Sequence, residues 1–174
     1  ADIDVFDIEI DATDPELFIQ TVKAISPTFG GINLEDIKAP EAFEIERRLK
    51  EELDIPVMHD DQHGTAIISS SALINALELA DKKIEKVKIL ISGAGAAAIS
   101  CASLYLSLGA RLENIFMYDS KGLLTCQRTD LDEMKQLFAV HKVDIPFAKG
   151  FKNMDVFLGL SVAGLVTKEM IKIM

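Results

Sequence analysis

Val87-Lys88-Ile89-Leu90-Ile91-Ser92-Gly93-Ala94-Gly95-Ala96-Ala97-Ala98 runs from a continuous apolar stretch through two glycines into a string of alanines. A short apolar run closed by glycine reads as a strand buried on both faces, and the small residues after it read as a helix to about residue 108. Gly93 permits the tight strand-to-helix turn. Gly95 lets the backbone approach a pyrophosphate, and the small Ala98 lets the helix sit close to the strand. The helix start offers unpaired N–H groups and a positive dipole end. Ile115-Phe116-Met117-Tyr118 is the next strand and ends on Asp119, about twenty residues past Ala98, where an acid can accept hydrogen bonds from a ribose. Asp130 is expected to cap a further helix, and Asp155-Val156-Phe157-Leu158-Gly159 to form a third strand. Strands alternating with helices imply an α/β fold with a doubly wound, Rossmann-like parallel sheet. Such a turn can also close without a ligand, but strand, turn, helix, strand and acid occur here in the order a dinucleotide site requires.

Upstream, the pattern alternates in the same way. Ile3 and Val5 alternate with acids, and after a slip at Phe6 the parity changes to Ile8 and Ile10, which predicts a bulged strand or two short ones. Asp14-Pro15 is an N-cap and first-turn pair for a helix presenting Leu17, Thr21, Val22 and Ile25 on one face and ending at Pro27. Gly30-Gly31 make a turn into a short strand, Ile32-Asn33-Leu34, which carries Glu35 and Asp36 at its end. Pro40 starts a helix with Ile45, Leu49 and Leu53 on one face and Glu and Arg on the other. Ile55 and Val57 form a brief strand leading into a polar loop. A helix over about 65–80 is apolar or small nearly all round, predicting burial on most faces. The charged run 82–88 is the expected domain boundary, separating 1–81 from 82–174.

The segment Met58-His59-Asp60-Asp61-Gln62-His63-Gly64-Thr65 concentrates two carboxylates, two imidazoles and an amide between apolar neighbours. In a parallel sheet the C-terminal strand ends share one side, so Glu35-Asp36 and Asp60-Asp61 can converge there. Carboxylate oxygens form a hard anionic nest suited to Mg²⁺ or Mn²⁺ rather than zinc. The alternative is a pair of solvated acidic turns in a chain that is acidic throughout. Gly64 and the polar run favour a loop, so His59 and His63 are expected to brace it by hydrogen bonds rather than act as an i, i+4 metal pair.

Bulk properties bound the setting. The chain has 174 residues, 49% hydrophobic and 26% charged, enough for a full core. A net charge of −10 argues against nucleic acid and anionic membranes as partners. Cys101 and Cys126 are too few for a disulfide framework and form no metal-binding pair, which fits a reducing compartment. The start has no basic n-region and no apolar run long enough to span a bilayer, so a cytoplasmic location is expected. A first residue other than methionine, within a strand-like run, reads as a piece of a longer chain, with the second domain truncated at its C-terminus.

Gly31-Ile32-Asn33-Leu34-Glu35-Asp36-Ile37-Lys38-Ala39-Pro40, then Ile55-Pro56-Val57-Met58-His59-Asp60-Asp61-Gln62-His63-Gly64-Thr65-Ala66, then Ser92 to Ala98 together resemble the bacterial malic enzymes, especially the NADP-linked kind. The resemblance covers essentially the whole chain. It implies oxidative decarboxylation of malate to pyruvate and CO₂ with reduction of NAD(P)⁺, dependent on Mg²⁺ or Mn²⁺. It implies metal ligation by Glu35, Asp36 and Asp61, with Asp60 as a supporting acid. It places Gly93, Ala94, Gly95, Ala96, Ala97 and Ala98 on the pyrophosphate and Asp119 on the ribose. Ser120 and Lys121 look like the NADP-linked version of the following turn, although Asp119 itself would repel a 2′-phosphate. Gly159-Leu160-Ser161 resembles the strand end near the nicotinamide. The family's general base, a lysine, and general acid, a tyrosine, match no residue here, so the chain alone is expected to be inactive. A homo-oligomer is also implied. The other readings are a nucleotide- and metal-binding module without turnover, and a different Rossmann-type hydroxy- or amino-acid dehydrogenase.

Overall fold

Asp14 caps the first helix, α1 (Pro15–Ile25): its carboxylate accepts the Glu16 N–H at 3.1 Å, and Pro15 occupies the first turn where no N–H is required. Pro27 falls within a single 3-10 turn, Ser26–Thr28, that ends the helix. The computed structural model describes residues 2–38 and 40–174; Ala39 of the proline-containing motif lies outside them. The remaining elements are β1 (Ile32–Leu34), α2 (Glu41–Glu52), β2 (Val57–His59), α3 (Asp60–Leu79), β3 (Ile89–Ser92), α4 (Ala96–Ser107), β4 (Ile115–Asp119), β5 (Gly122–Leu123), α5 (Glu133–Gln136), α6 (Phe147–Gly150), β6 (Val156–Gly159) and α7 (Lys168–Lys172).

Two compact units result, 1–60 and 61–174. In the first, β1 and β2 pair in parallel, and Ile19, Val22, Leu34, Ile45, Leu49 and Val57 close a small core. Arg48 to Glu16 at 2.6 Å and Lys23 to Glu52 tie α1 to α2 at the surface, where such pairs add little beside the apolar contact. The helix turns Ile19 and Val22 inward and leaves Leu17 exposed, so the face expected from the sequence is rotated. The predicted strands over residues 3–10 are absent among the described residues: this stretch forms no regular element, is unpaired with β1 or β2, and exposes Ile3, Val5 and Phe6.

The second unit holds a sheet in the order β5-β4-β3-β6, with β3 parallel to both β4 and β6 and β5 antiparallel at the edge. Alternation along β3 sends Ile89 and Ile91 to one core, with Ala66, Leu73 and Leu77 of α3 and Ile99 and Ala102 of α4. Leu90 joins the other, with Tyr118, Phe151 and Met154. The sheet is therefore covered on both faces. Chain order places the crossover point at the end of β3, between β4 and β6, where open α/β sheets bind ligands.

Four local expectations change. Helix α3 begins at Asp60, so the polar segment read as a loop is the first turns of a helix. Its buried positions, Gln62, Ala66, Ser70, Leu73 and Leu77, recur every three or four residues, and that stripe outweighs the roughly 1 kcal/mol cost of Gly64. The helix is also one-sided rather than buried all round: Ile67, Ile68 and Ile74 are exposed. Because the inward stripe packs into the second core, α3 from Asp61 onward belongs to that unit, and the division falls after the helix's first residue rather than at the charged run 82–88. Finally, Asp132, not Asp130, caps α5, accepting the Lys135 N–H at 2.9 Å.

Candidate functional site

The acidic edge is set by strand register. Leu34 pairs with His59, so Glu35-Asp36 and Asp60 leave the parallel pair from the same C-terminal end. Glu35 and Asp36 are exposed, and Asn33 Nδ2 donates to Glu35 Oε1 at 2.9 Å. Asp36 sits in the left-handed region at φ 56°, a conformation aspartate tolerates better than most residues. A cavity of about 930 Å³ runs along this edge, lined by Phe6, Ile8 and Phe18 on its apolar side and by Glu35, Asp36 and Lys38 on its polar side.

A buried polar network supports the edge. His59 is fully buried; its N–H donates to Glu46 Oε1 at 3.0 Å, and its Nε2 lies 3.1 Å from the Ile37 carbonyl, just beyond Asp36. Glu46 is buried on α2 and paired to Lys50 at 2.9 Å. The α2 pattern predicts its glutamates on the solvent face, yet Glu46 is buried. The signal was present, since Glu46 falls within the apolar stripe Ala42, Ile45, Leu49. His59 acts as a brace, as expected of the histidines, but from a strand end rather than a loop.

Carboxylates alone make a donor set that suits a hard divalent ion. Among the described residues, however, no three His, Cys, Asp or Glu side chains gather closely enough to hold one. Glu35, Asp36 and Asp60 thus share an edge without forming a closed cage, and Asp61 is exposed in the first turn of α3.

The turn after β3 is more fully formed. Gly93 adopts φ 110°, and a Cβ there would lie 2.5 Å from the Leu160 carbonyl oxygen, so glycine is required both by its own backbone and by the chain leaving β6. Gly95, the N-cap of α4, has nothing within 4 Å of its would-be Cβ, and no side chain caps the helix. The amide-lined start of α4 is therefore open to an anion. Ala98 is buried against the sheet, as the close helix–strand approach requires. Ser92 Oγ and Ser161 Oγ are 2.7 Å apart, joining the ends of β3 and β6 beside a second cavity of about 310 Å³ lined by Ser92, Gly159, Leu160 and Ser161.

At the end of β4, Asp119 is engaged by a residue the sequence reading did not single out. Arg128 donates to both carboxylate oxygens, Nη1 to Oδ1 at 2.9 Å and Nη2 to Oδ2 at 2.8 Å, and the Lys121 N–H adds a bond at 2.8 Å. Burial pushes the Asp119 carboxyl up, but these donors outweigh it and hold it below the usual carboxylate range. Arg128 and Lys121 also pair with Asp130. The tyrosines stand apart from this chemistry: burial raises Tyr105, and pushes Tyr118 up to about 12 with the Asp144 charge adding to it.

A family model described as "Malic enzyme, NAD binding domain" matches residues 62–174, and one for the malic enzyme N-terminal domain matches residues 5–50. The chain belongs to the malic enzyme family. It is 54% identical to an NAD-dependent malic enzyme of Rhizobium meliloti over 98% of its length, and 51% identical to an NADP-dependent malic enzyme of Haemophilus influenzae over 100%. The solved NAD-dependent malic enzyme of Thermotoga maritima superposes over 100% of the chain with a TM-score of 0.91 at 41% identity. The chain spans 22% and 23% of the two curated malic enzymes and 47% of the solved one. The nucleotide-domain match begins within the first turn of α3, one residue past the division between the compact units. Both cofactor classes occur among these relatives, so malic enzyme membership does not decide between NAD and NADP.

Proposed function

We propose that this chain carries the metal- and dinucleotide-binding portion of a malic enzyme that oxidatively decarboxylates malate to pyruvate and CO₂ while reducing NAD(P)⁺. The observation that carries this reading is the open, uncapped start of α4 behind Gly93 and Gly95, at the crossover point of the sheet, in a chain whose other unit presents acids at a parallel strand edge. The backbone of Gly93 to Ala98 holds the pyrophosphate, Asp119 faces the ribose, and Ser161 lies by the nicotinamide. Glu35, Asp36 and Asp61 serve as ligands to Mg²⁺ or Mn²⁺, and Asp60 supports them. A bound divalent ion supplies Lewis-acid polarisation of the substrate's C2 oxygen. The chain's own part is to hold the acids: Glu46 fixes the His59 backbone, and the His59 ring fixes the segment after Asp36.

Ser120 and Lys121 support the NADP-linked form, whereas the pairing of Lys121 with Asp130 at 2.7 Å favours the NAD-linked form. Partners follow from the same reading: a small dicarboxylate substrate, and a second copy of the chain in a homo-oligomer, for which the exposed Ile67, Ile68 and Ile74 of α3 are suited. No described helix is long and apolar enough to cross a membrane. The free thiols of Cys101 and Cys126 suit the cytoplasm.

The test is malate-dependent NAD(P)H formation with Mn²⁺ in the full-length protein, alongside direct binding measurements. Asp61→Ala is expected to abolish turnover and weaken Mn²⁺ binding by about a hundredfold or more, beyond what loss of a supporting residue does, with nucleotide binding retained. Unchanged Mn²⁺ affinity in that variant would overturn the ligand assignment, and no malate-dependent turnover in the unaltered protein would overturn the activity.

A further inference from the structure

We propose that Asp130 sets the dinucleotide preference of the turn after β4, by holding Lys121 and Arg128 in ion pairs that keep them from a 2′-phosphate. The inference rests on the reading that Asp119 marks the ribose side of the site. A turn bearing Asp119, Lys121 and Arg128 alone would offer two cations against one carboxylate, an arrangement that suits a phosphate dianion. Asp130 changes that balance to two against two. Arg128 donates through Nε to Asp130 Oδ1 at 3.0 Å and through Nη2 to Oδ2 at 2.9 Å, while Nη1 and Nη2 also engage Asp119. Its planar fork is thus divided between two carboxylates. Lys121 Nζ donates to Asp130 Oδ2 at 2.7 Å. The cap of α5 that the sequence assigned to Asp130 is provided by Asp132, so the partners of this carboxylate are Lys121 and Arg128 rather than a helix end. Asp119 has a separate duty, accepting from a ribose hydroxyl that only the non-phosphorylated cofactor carries at that position. The two acids therefore act in the same direction by different means: Asp119 repels the phosphate directly, and Asp130 withholds the cations that would attract it. The Lys121 side chain is two-thirds exposed, so once released it can swing toward a ligand.

The experiment measures the dissociation constants of NAD⁺ and NADP⁺ by titration calorimetry on the full-length protein. Asp130→Asn is nearly isosteric and removes only the charge. It is expected to tighten NADP⁺ about fivefold, the scale of an exposed ion pair gained, and to leave NAD⁺ unchanged. Adding Lys121→Ala to Asp130→Asn is expected to reverse most of that gain, and Asp130→Glu to keep the original ratio. A merely structural role would weaken both nucleotides together and leave their ratio fixed. An unchanged or reversed ratio in Asp130→Asn overturns the proposal. Lys121→Ala alone gives a test that does not depend on how Asp130 variants fold: a marked loss of NADP⁺ affinity there would show that Lys121 already serves the phosphate and would overturn the proposal. Asp119→Ala separates the two layers of inference. If it weakens NAD⁺ while Asp130→Asn leaves the ratio alone, only the role of Asp130 falls; if neither variant alters either nucleotide, the ribose-side reading falls with it.

Discussion

The turn after β3 and the edge after β1 and β2 both lie at the C-terminal ends of parallel strands, yet they are built from different material. The turn is made of backbone: Gly93 is wedged against the Leu160 carbonyl, Gly95 faces open space, and the amides of α4 point at whatever binds. The edge is made of side chains. Glu35 and Asp36 project into a wide cavity, supported from behind by His59 and Glu46, and the acids do not close on one another among the described residues. A backbone site is complete when the chain folds. A carboxylate site cannot be, because like charges brought together without a cation repel one another.

The largest effect that would break this contrast is expected at Gly93. Gly93→Ala places a methyl against the Leu160 backbone at a φ that alanine rarely adopts, and should cost about 3 kcal/mol or more in urea unfolding, with nucleotide binding lost. Stability within 1 kcal/mol of the unaltered protein would show that the turn is not fixed as described. Next is Glu46→Ala, which removes the acceptor for the buried His59 N–H and should cost about 2 kcal/mol. Mn²⁺ affinity should fall in parallel, while Glu46→Gln, which keeps a carbonyl acceptor, should recover much of both; equal loss in the two variants would point to charge rather than the backbone contact. Gly95→Ala sharpens the contrast within the turn itself. With open space at its Cβ, stability should change by less than about 1 kcal/mol, but dinucleotide affinity should drop if the proposed pyrophosphate occupies that space. The smallest effect concerns acid. The hydrogen bond from Arg48, helped by Gln20, holds Glu16 down to about 2. A carboxyl lowered on folding contributes stability that is complete above its ordinary value near 4.5 and disappears as pH falls toward 2. Unfolding midpoints measured across that window should therefore decline less steeply in Glu16→Gln than in the unaltered protein.

Legibility in the sequence followed the same division. The β3 strand, its glycine turn and the strand ending on Asp119 could be placed because continuous apolar runs and obligatory glycines are local signals. The start of α3 could not, because Asp60 to Gly64 looks like a loop by composition; only the core that receives Gln62, Ala66 and Ser70 makes it helical. Residues 3–10 failed in the opposite sense. Alternation suggests a strand, but a strand also needs a partner, and this stretch pairs with neither β1 nor β2.

What the amino-acid sequence determined by itself was the set of parts: a doubly wound nucleotide-binding unit, a glycine turn leading into a helix, and paired acids at strand ends in a malic enzyme pattern. Tertiary structure alone decided their supports and their availability. Arg128 lies nine residues past Asp119 and Glu46 thirteen before His59, separations that carry no periodic signal. These partners meet because β4 and the chain beyond β5, or α2 and β2, are packed together, and packing is a property of the folded core rather than of any local stretch. The same packing turns Lys121, exposed and cationic in the sequence, into one arm of an ion pair with Asp130.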